Sequence, residues 1–436
     1  MNARDLQMVK QYLQKQTCLV VEPSSAFRQT IVGELRELGL PNTQIFMAWK
    51  YEDAVKLITQ EKPTIIISEY MIGEKHGITL LEKQLAYCDE SIRVSMVVTR
   101  NASDAAVAEA AEEQVDSYVL KPFSAGEFRE RLLSTIKQKI NPSDYVKKIR
   151  KGKDLLRMKE FDKAVKEFAE AKFLDEKPAL ACYYSGFTYY AQKKYIQAIA
   201  EYREGLKYQP LHYKCLLGEF DSLFIEKKHK EAYALVPTIR KYFPLTPRRL
   251  GNVFICAVYT HHFNEIPEYY ELFLALDHRP QKLVQIMSAA LMVAGKHFVA
   301  DDKIDRAIEC FEMGVMVSAR DLIYLHQVID TMLAAKAVKG ASKFYKMYPR
   351  EMYGSKDHAI YGFLIDRHIL PAHEAAERGK KIVAEGHANA EVYRILVKLL
   401  VKIGKRTTAE GMIVKAVKVY PELRSELYGL LDPIAS

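Results

Sequence analysis

The sequence predicts an α/β domain with a parallel sheet, followed by an all-α domain built from stacked helical repeats. Two patterns and the length of the chain support this prediction. Short apolar runs alternate with helical patterns up to about residue 140, as in parallel-sheet domains. Beyond residue 145, small and aromatic residues recur with a period of 34 positions, and 436 residues leave room for both domains. We expect an N-terminal extension at 1–14, the α/β domain at 15–140 and the repeat domain at 141–436.

Five strand candidates alternate with five helix candidates in the α/β domain. The strands are expected at Cys18–Val21, Gln44–Ala48, Thr64–Ser68, Val94–Thr99 and Ser117–Leu120. The helices are expected at Ser25–Leu38, Tyr51–Gln60, Gly77–Tyr87, Ser103–Glu113 and Ser124–Ile140. This alternation predicts the flavodoxin-like (βα)5 arrangement, in which functional side chains lie at the carboxyl ends of the strands.

Polar residues suited to chemistry fall at those carboxyl ends. They are Glu22, Glu69, Thr99 and Lys121. Together with the spacing of Pro63–Gly77, the Lys121-Pro122 pair and Tyr118, they resemble the receiver domain of bacterial two-component response regulators. The resemblance implies that acids after the first strand and an acceptor aspartate hold Mg²⁺, while a hydroxyl and a lysine contact the phosphoryl group. It also implies that Tyr118 is the switch aromatic.

The chain departs from the receiver pattern at two positions. Glu69 stands where the family has its phospho-accepting aspartate, and Pro23 stands where it has a second metal-binding acid. The additional methylene of Glu69 moves its carboxylate out of the in-line position and toward Thr99 and Lys121. We therefore expect a Glu69–Lys121 salt bridge. Glu22 and Glu69 remain weak Mg²⁺ candidates, and no other cofactor is expected.

These departures leave three interpretations of the site. In the first, Glu69, Thr99 and Lys121 form a pseudo-phosphorylation site that holds the receiver surface in an active-like state, with Tyr118 turned inward. In the second, the polar residues are relics that only stabilise the fold. In the third, the domain is a conventional phosphorylation-regulated receiver that uses unusual chemistry at Glu69.

The second domain shows its repeat most clearly in its first two units. Gly152, Leu155, Ala164, Phe168 and Ala171 recur, shifted by 34 positions, as Gly186, Tyr189, Ala198, Tyr202 and Gly205. These positions resemble the tetratricopeptide repeat (TPR), in which small residues let two paired helices touch and an aromatic residue fills the gap. The resemblance implies an all-α solenoid of about eight helix pairs that stack on their neighbours.

The TPR resemblance also implies candidate partner-binding positions on the first helix of each pair. These are Tyr183, Phe187 and Tyr190 in the second repeat, Leu217 and Phe224 in the third, and Arg394 and Lys398 near the end. Aromatic side chains along a groove favour a peptide or helical segment, and basic side chains favour acidic residues. The alternative interpretation is that the tyrosines only pack between repeats.

The charge and composition of the chain limit the classes of partner that it can be expected to bind. Residues 1–144 contain 17 Lys and Arg against 20 Asp and Glu, and the remainder contains 47 against 35, so the net charges are −3 and +12. A basic repeat domain suits acidic proteins or nucleic acid, or is a solvated helical surface. No apolar run approaches the roughly 18 residues of a membrane span, and the N-terminus has no apolar signal core. We expect a cytoplasmic protein without membrane insertion.

The sequence as a whole predicts a non-enzymatic signalling adaptor. No catalytic constellation, phosphate-binding loop or metal-ligand spacing was found, and the six cysteines are expected to be reduced. The expected partners are a histidine kinase or another response regulator at the receiver, and a peptide or helical segment at the repeats. A homodimer through the receiver remains open. The alternatives are RNA or DNA binding by the basic repeats under receiver control, or a phosphorylation-regulated response regulator.

Overall fold

The computed structural model describes residues 3–89, 92–100, 115–242, 247–276 and 279–431. The chain forms two compact units, Met1–Thr246 and Pro247–Ser436, each of which is described by itself. The first unit contains the α/β domain and the first three helix pairs. The second unit contains the remaining helices.

The α/β domain is built on a parallel sheet of five strands. The strands are β1 (Cys18–Val21), β2 (Ile45–Ala48), β3 (Ile65–Glu69), β4 (Val94–Thr99) and β5 (Ser117–Leu120). Their order in the sheet is β2-β1-β3-β4-β5, and every neighbouring pair is parallel. The register pairs Val21 with Ser68, Glu69 with Val98, and Thr99 with Leu120, which brings the carboxyl ends together. The predicted fold class is confirmed.

Helices cover the sheet because its central strands are apolar on both faces. All residues of β1 and β4 are buried, as expected for strands between two helical layers. The covering helices among the described residues are α1 (Ala3–Leu13), α2 (Ser25–Glu37), α3 (Tyr51–Glu61), α4 (Ile78–Leu85) and α5 (Ala125–Ile140). The helix predicted at Ser103–Glu113 lies outside the described residues. A short antiparallel hairpin, Met71–Ile72 with Lys75–His76, was not predicted.

The segment predicted as an N-terminal extension, residues 1–14, contains helix α1. Val9 and Leu13 are buried in the same apolar cluster as Cys18 and Ile136. Asp5 forms a salt bridge of 2.5 Å with Lys137, which lies on α5. Helix α1 is therefore packed onto the α/β domain and contributes to its core.

Three helix pairs complete the first unit. They are α6 (Asp144–Arg157) with α7 (Phe161–Ala171), α8 (Ala179–Ala191) with α9 (Tyr195–Tyr208), and α10 (Tyr213–Ile225) with α11 (His229–Tyr242). The glycines allow the close approach that the repeat pattern requires. A Cβ at Gly152 would lie 2.4 Å from the ring of Phe168, and one at Gly186 would lie 2.7 Å from the ring of Tyr202. Any larger residue would push the paired helices apart.

The second unit continues with helix pairs. They are α12 (Pro247–Tyr259) with α13 (Ile266–Leu274), α14 (Gln281–Ala300) with α15 (Ile304–Val317), α16 (Leu322–Ala334) with α17 (Val338–Tyr345), α18 (Lys356–Ile369) with α19 (Ala372–Ala384), and α20 (Ala390–Lys402) with α21 (Arg406–Val419), before the short α22 (Arg424–Gly429). The same glycine–aromatic contact recurs here, because a Cβ at Gly295 would lie 2.3 Å from the ring of Phe311.

A left-handed residue joins the two helices of most pairs. Lys159, Lys193, Lys227 and His261 follow one another at intervals of 34 residues, and their φ angles lie between 58° and 61°. Asp302 and Lys336 have the same conformation, and Gly404 has a φ of 75°. In the first pair the following amide, that of Glu160, donates to the carbonyl of Leu155, which closes the helix end as in a Schellman motif.

One described helix, α14, is long and apolar enough to cross a membrane by length and composition alone. This does not contradict the expectation that no uninterrupted apolar run approaches 18 residues, because Lys282, Ser288 and Lys296 interrupt this helix. Leu283, Met287, Leu291 and Phe298 of α14 are buried, and the helix packs against α12 and α15. A core helix of a soluble protein passes the same test, and these contacts account for one side of its apolar surface.

Candidate functional site in the α/β domain

A buried ion-pair cluster lies at the carboxyl ends of β1, β3 and β5. The Nζ atom of Lys121 lies 2.6 Å from Oε2 of Glu22 and also forms a salt bridge with Oε2 of Glu69. Relative exposure of the side chains is 3% for Lys121, 1% for Glu22 and 13% for Glu69. The expected Glu69–Lys121 salt bridge is present. The sequence did not predict that Glu22 would share the same ammonium group.

Backbone amides hold the other oxygen of each carboxylate. The amide of Ser24 donates to Oε1 of Glu22 at 2.9 Å, and the amide of Tyr70 donates to Oε1 of Glu69 at 2.8 Å. All four carboxylate oxygens therefore have a donor within the protein. Charge-assisted hydrogen bonds of this kind are stronger than neutral ones, so they fix the orientation of both side chains.

The lysine is positioned by its own strand end and by an aromatic ring. The amide of Lys121 donates to the carbonyl of Thr99 at 2.8 Å, which ties the end of β5 to the end of β4. The Nζ atom lies 4.8 Å from the ring centroid of Phe27, which adds a cation–π contact to its two salt bridges. The Lys121-Pro122 peptide bond is cis.

The two remaining receiver candidates lie beside this cluster. Thr99 is buried at the end of β4, with 3% of its surface exposed. Tyr118 lies on β5, is half-buried, and packs against the apolar cluster that contains Leu81 and Val97. The ring of Tyr118 is thus turned toward the protein interior.

The side chains do not fit a divalent cation well. Glu22 and Glu69 already share the ammonium group of Lys121, and Pro23 supplies no side-chain oxygen. A Mg²⁺ ion prefers six oxygen ligands in octahedral geometry, so it would have to displace the lysine from both carboxylates. Among the described residues, one group of three metal-ligating side chains was found elsewhere, at Cys182, Glu201 and Glu204, where Lys172 already bridges both glutamates.

The aromatic positions predicted on α8 form a stack. The ring centroids of Tyr183 and Phe187 are 6.0 Å apart, and those of Phe187 and Tyr190 are 6.4 Å apart, with nearly parallel planes. Tyr183 also contacts the buried ring of Tyr202, with centroids 6.0 Å apart. Phe187 is 39% exposed, whereas the two tyrosines are half-buried. Phe187 therefore offers most of the accessible aromatic surface on this helix.

The candidate positions on other helices differ in accessibility. Leu217 is only 2% exposed, so its assignment to a partner-binding groove is corrected, because its side chain packs inside the helix stack. Phe224 is half-buried, 5.7 Å from the ring of His229. Nε of Arg394 donates to both carboxylate oxygens of Glu426 at 2.9 Å, whereas Lys398 is exposed. The charge of Arg394 is thus already paired within the protein.

The parallel sheet and the polar strand ends define the class of this domain as a receiver. Residues 18–133 match the family model described as the response regulator receiver domain. The chain is 28% identical over 119 residues to the chemotaxis protein CheY-3 of Vibrio cholerae, which covers 26% of this chain and 86% of that protein. It is 29% identical over 115 residues to the chemotaxis protein CheY homolog of Campylobacter jejuni, and the match covers 26% of this chain and 87% of that protein. This part of the chain is a receiver domain.

Solved structures similar to the chain include TPR proteins. One, from Parabacteroides merdae, has 14% identity and a TM-score of 0.32, and covers 59% of this chain and 98% of its own. Another, YrrB, is a TPR protein with an unusual peptide-binding site; it has 16% identity and a TM-score of 0.32, and it covers 44% of this chain and 95% of its own. At these TM-scores the assignment of TPR-like repeats rests on the helix pairs and glycine–aromatic contacts described above.

Proposed function

We propose that this protein is a non-enzymatic signalling adaptor of a bacterial two-component system. Its receiver binds a histidine kinase or another response regulator without being phosphorylated at Glu69, and its repeats bind a further protein segment. The observation that carries this proposal is the pairing of Lys121 with both Glu22 and Glu69. The combination of a receiver with TPR-like repeats supports the broader role of a protein-interaction adaptor.

The ion-pair cluster disfavours phosphoryl transfer to Glu69. The attacking oxygen of an acceptor must be free to align with the phosphorus, and a cation must neutralise the incoming charge. Both oxygens of Glu69 are engaged by Tyr70 and Lys121, and the lysine is shared with Glu22. Removing one partner from a buried ion pair typically costs about 3–5 kcal/mol, so releasing Glu69 for the reaction is unfavourable.

The same contacts support a fixed signalling surface. In this proposal the carboxylate of Glu69 takes the place of a phosphoryl group toward Lys121 and Thr99, although it carries only about half the charge of a phosphate dianion. The inward position of Tyr118 agrees with this state. Packing of α1 on α5 covers part of the surface of α5, so this part is not available to a homodimer through the receiver. We place the protein in the cytoplasm, where both kinds of partner occur.

The ion pairs of the first repeats weigh against the nucleic-acid alternative. Lys148 pairs with Glu167 and Glu170 at 2.9 and 2.5 Å. Arg203 likewise pairs with Glu219 and Glu231 at 2.5 and 2.7 Å. Basic side chains already engaged in this way contribute less to phosphate contacts. Binding of RNA or DNA would show a steep loss of affinity with salt, because lysine and arginine contacts release counterions.

Phosphorylation is tested directly with acetyl phosphate and Mg²⁺. We expect the intact mass of the full chain to remain unchanged, because Glu69 is held by Lys121 and one metal-binding acid is missing. The double variant Pro23→Asp, Glu69→Asp restores both acids and serves as the positive control, so it should gain one phosphoryl group. A phosphoryl group that appears on the natural chain and disappears in Glu69→Gln would refute the proposal.

A further inference from the structure

An apolar groove lies between α12 and α14, the first helices of two successive pairs in the second unit. It has a volume of about 170 Å³, and the side chains that line it include Ile255, Val258, Tyr259, Ile286, Ala289 and Val293. Gly251 lies on the side of α12 that faces α14, because a Cβ there would lie 3.4 Å from Cδ1 of Ile286, at ordinary van der Waals contact. The groove is open to solvent, since Tyr259 is 68% and Val293 is 40% exposed.

Helix α14 is apolar on two sides, and only one of them is buried by the protein. Its core side carries Leu283, Met287 and Leu291, whereas Ala289 and Val293 are exposed on the groove side. A helix at the surface of a soluble protein normally carries polar residues toward solvent. The second apolar side explains why the composition of α14 passes for a membrane span. It also leaves this side available to a ligand.

Two lysines flank the apolar surface along α14. Lys282, Ile286, Ala289, Val293 and Lys296 follow one another at intervals of four, three, four and three residues, which places them on one side of the helix. Both lysines are exposed, and neither forms an ion pair with any residue that the structure describes. They are separated by 14 positions, which corresponds to about 21 Å along an α-helix.

We propose that this groove binds a protein segment that inserts a large apolar side chain between α12 and α14 and carries acidic residues on both sides of it. The proposal rests on the proposed function, in which the repeats bind a protein segment. It adds the location of the binding site and the chemistry of the bound segment. At about 170 Å³ the groove is smaller than the 300–1,000 Å³ of small-molecule sites. It therefore matches a single anchoring side chain, and the unpaired lysines match acidic neighbours.

The probe is a display library of random 20-residue peptides, selected on the folded full-length protein. We expect the selected peptides to share a leucine, phenylalanine or tryptophan flanked by aspartate or glutamate. Ala289→Trp fills the groove from an exposed position and should weaken these peptides at least thirtyfold, as expected for loss of a buried anchor. Met316→Trp, at an exposed position of α15 outside the groove lining, is the matched control and should leave binding unchanged.

The charges are tested by a second pair of variants. Lys282→Glu with Lys296→Glu should weaken the peptides about tenfold or more at low salt, with a smaller effect at high salt, because exposed charges are screened. Lys415→Glu with Lys418→Glu makes the same change in net charge on the exposed side of α21 and should have little effect. Circular dichroism of each variant shows whether the helices remain folded, and Lys282→Gln with Lys296→Gln provides a milder charge test.

Three outcomes would overturn the proposal. Selected peptides that bind Ala289→Trp as tightly as the natural protein would place the partner site elsewhere in the repeats, and the adaptor function would stand. A dimer in sedimentation that Ala289→Trp dissociates would make a second copy of the chain the occupant. Flotation with phosphatidylserine vesicles that depends on Ala289 would make it a lipid surface. The acetyl phosphate experiment tests the receiver independently of all three outcomes.

Discussion

Replacing Lys121 by methionine tests the buried ion-pair cluster of the receiver. Both carboxylates contact the same nitrogen, so their Oε2 atoms are at most about 5 Å apart. Without the lysine, two negative charges at that distance repel each other by about 3 kcal/mol at an effective dielectric constant of about 20. Together with the lost attraction, this predicts a decrease of about 3–5 kcal/mol in the free energy of unfolding of the receiver.

The chain offers a convenient reporter for this measurement. Its single tryptophan, Trp49, lies in the receiver, with the guanidinium of Arg28 5.7 Å from its ring centroid. Urea unfolding of the full chain, followed by tryptophan fluorescence, therefore reports the receiver and not the repeats. The slope of the transition should remain unchanged if only stability is altered.

Two variants decide whether the effect belongs to the cluster. Lys75→Met removes a salt bridge of 2.6 Å to Glu52 in which both side chains are exposed, and it should change the stability little because solvent screens such a pair. The triple variant Glu22→Gln, Glu69→Gln, Lys121→Met removes all three charges and should regain much of the stability lost in Lys121→Met. If Lys121→Met costs no more than Lys75→Met, the buried cluster does not form and the argument against phosphorylation fails with it.

The remaining predictions concern the repeats. Tyr183→Ala should lower the midpoint of thermal unfolding measured by calorimetry, because the ring of Tyr183 packs on Tyr202. Phe187→Ala should lower it less, because the ring of Phe187 is more accessible. Equal decreases in the two variants would contradict this arrangement of the stack. Burial lowers the pKa of His212 to about 4, so the unfolded chain binds a proton more readily, and stability should fall as the pH decreases from about 6.5 toward 4. His212→Asn keeps an acceptor for the amide of Cys215, and circular dichroism should show a weaker acid sensitivity for it than for the natural chain; an unchanged acid transition would exclude this histidine as the cause.

The receiver could be predicted from the sequence because its signal is local. Each strand is a short apolar run, and a polar residue follows at its carboxyl end, so parallel pairing alone brings Glu22, Glu69 and Lys121 to one edge of the sheet. The salt bridge between Glu69 and Lys121 followed from the length of the glutamate side chain. The sharing of Lys121 with Glu22 could not be predicted, because it depends on rotamers at positions 99 residues apart.

The ligand-binding surface of the repeats was harder to predict, because exposure depends on neighbouring helices. Leu217 fits the pattern of an accessible position but is buried, and Arg394 fits the pattern of a free basic residue but is paired with Glu426. The groove beside α14 was missed because this part of the repeat pattern is degenerate. The sequence signal was a second set of apolar residues at helical spacing, Ile286, Ala289 and Val293. The helix did not need this set to pack on the core, because Leu283, Met287 and Leu291 already do so.

The left-handed residues between the paired helices recur at a constant interval, so a whole helix pair can be deleted or duplicated without changing the turns. Lys159, Lys193 and Lys227 adopt the same turn at the same phase of the repeat, and in the first two pairs the contacts of Gly152 and Gly186 with aromatic rings keep that phase as well. A deletion or duplication of 34 residues within the first two pairs would therefore join one turn to its equivalent and leave each of these glycines facing an aromatic ring. A change by a length that is not a multiple of 34 would move these glycines away from the aromatic rings. The number of repeats can therefore change during evolution by whole repeats while the packing between paired helices is conserved.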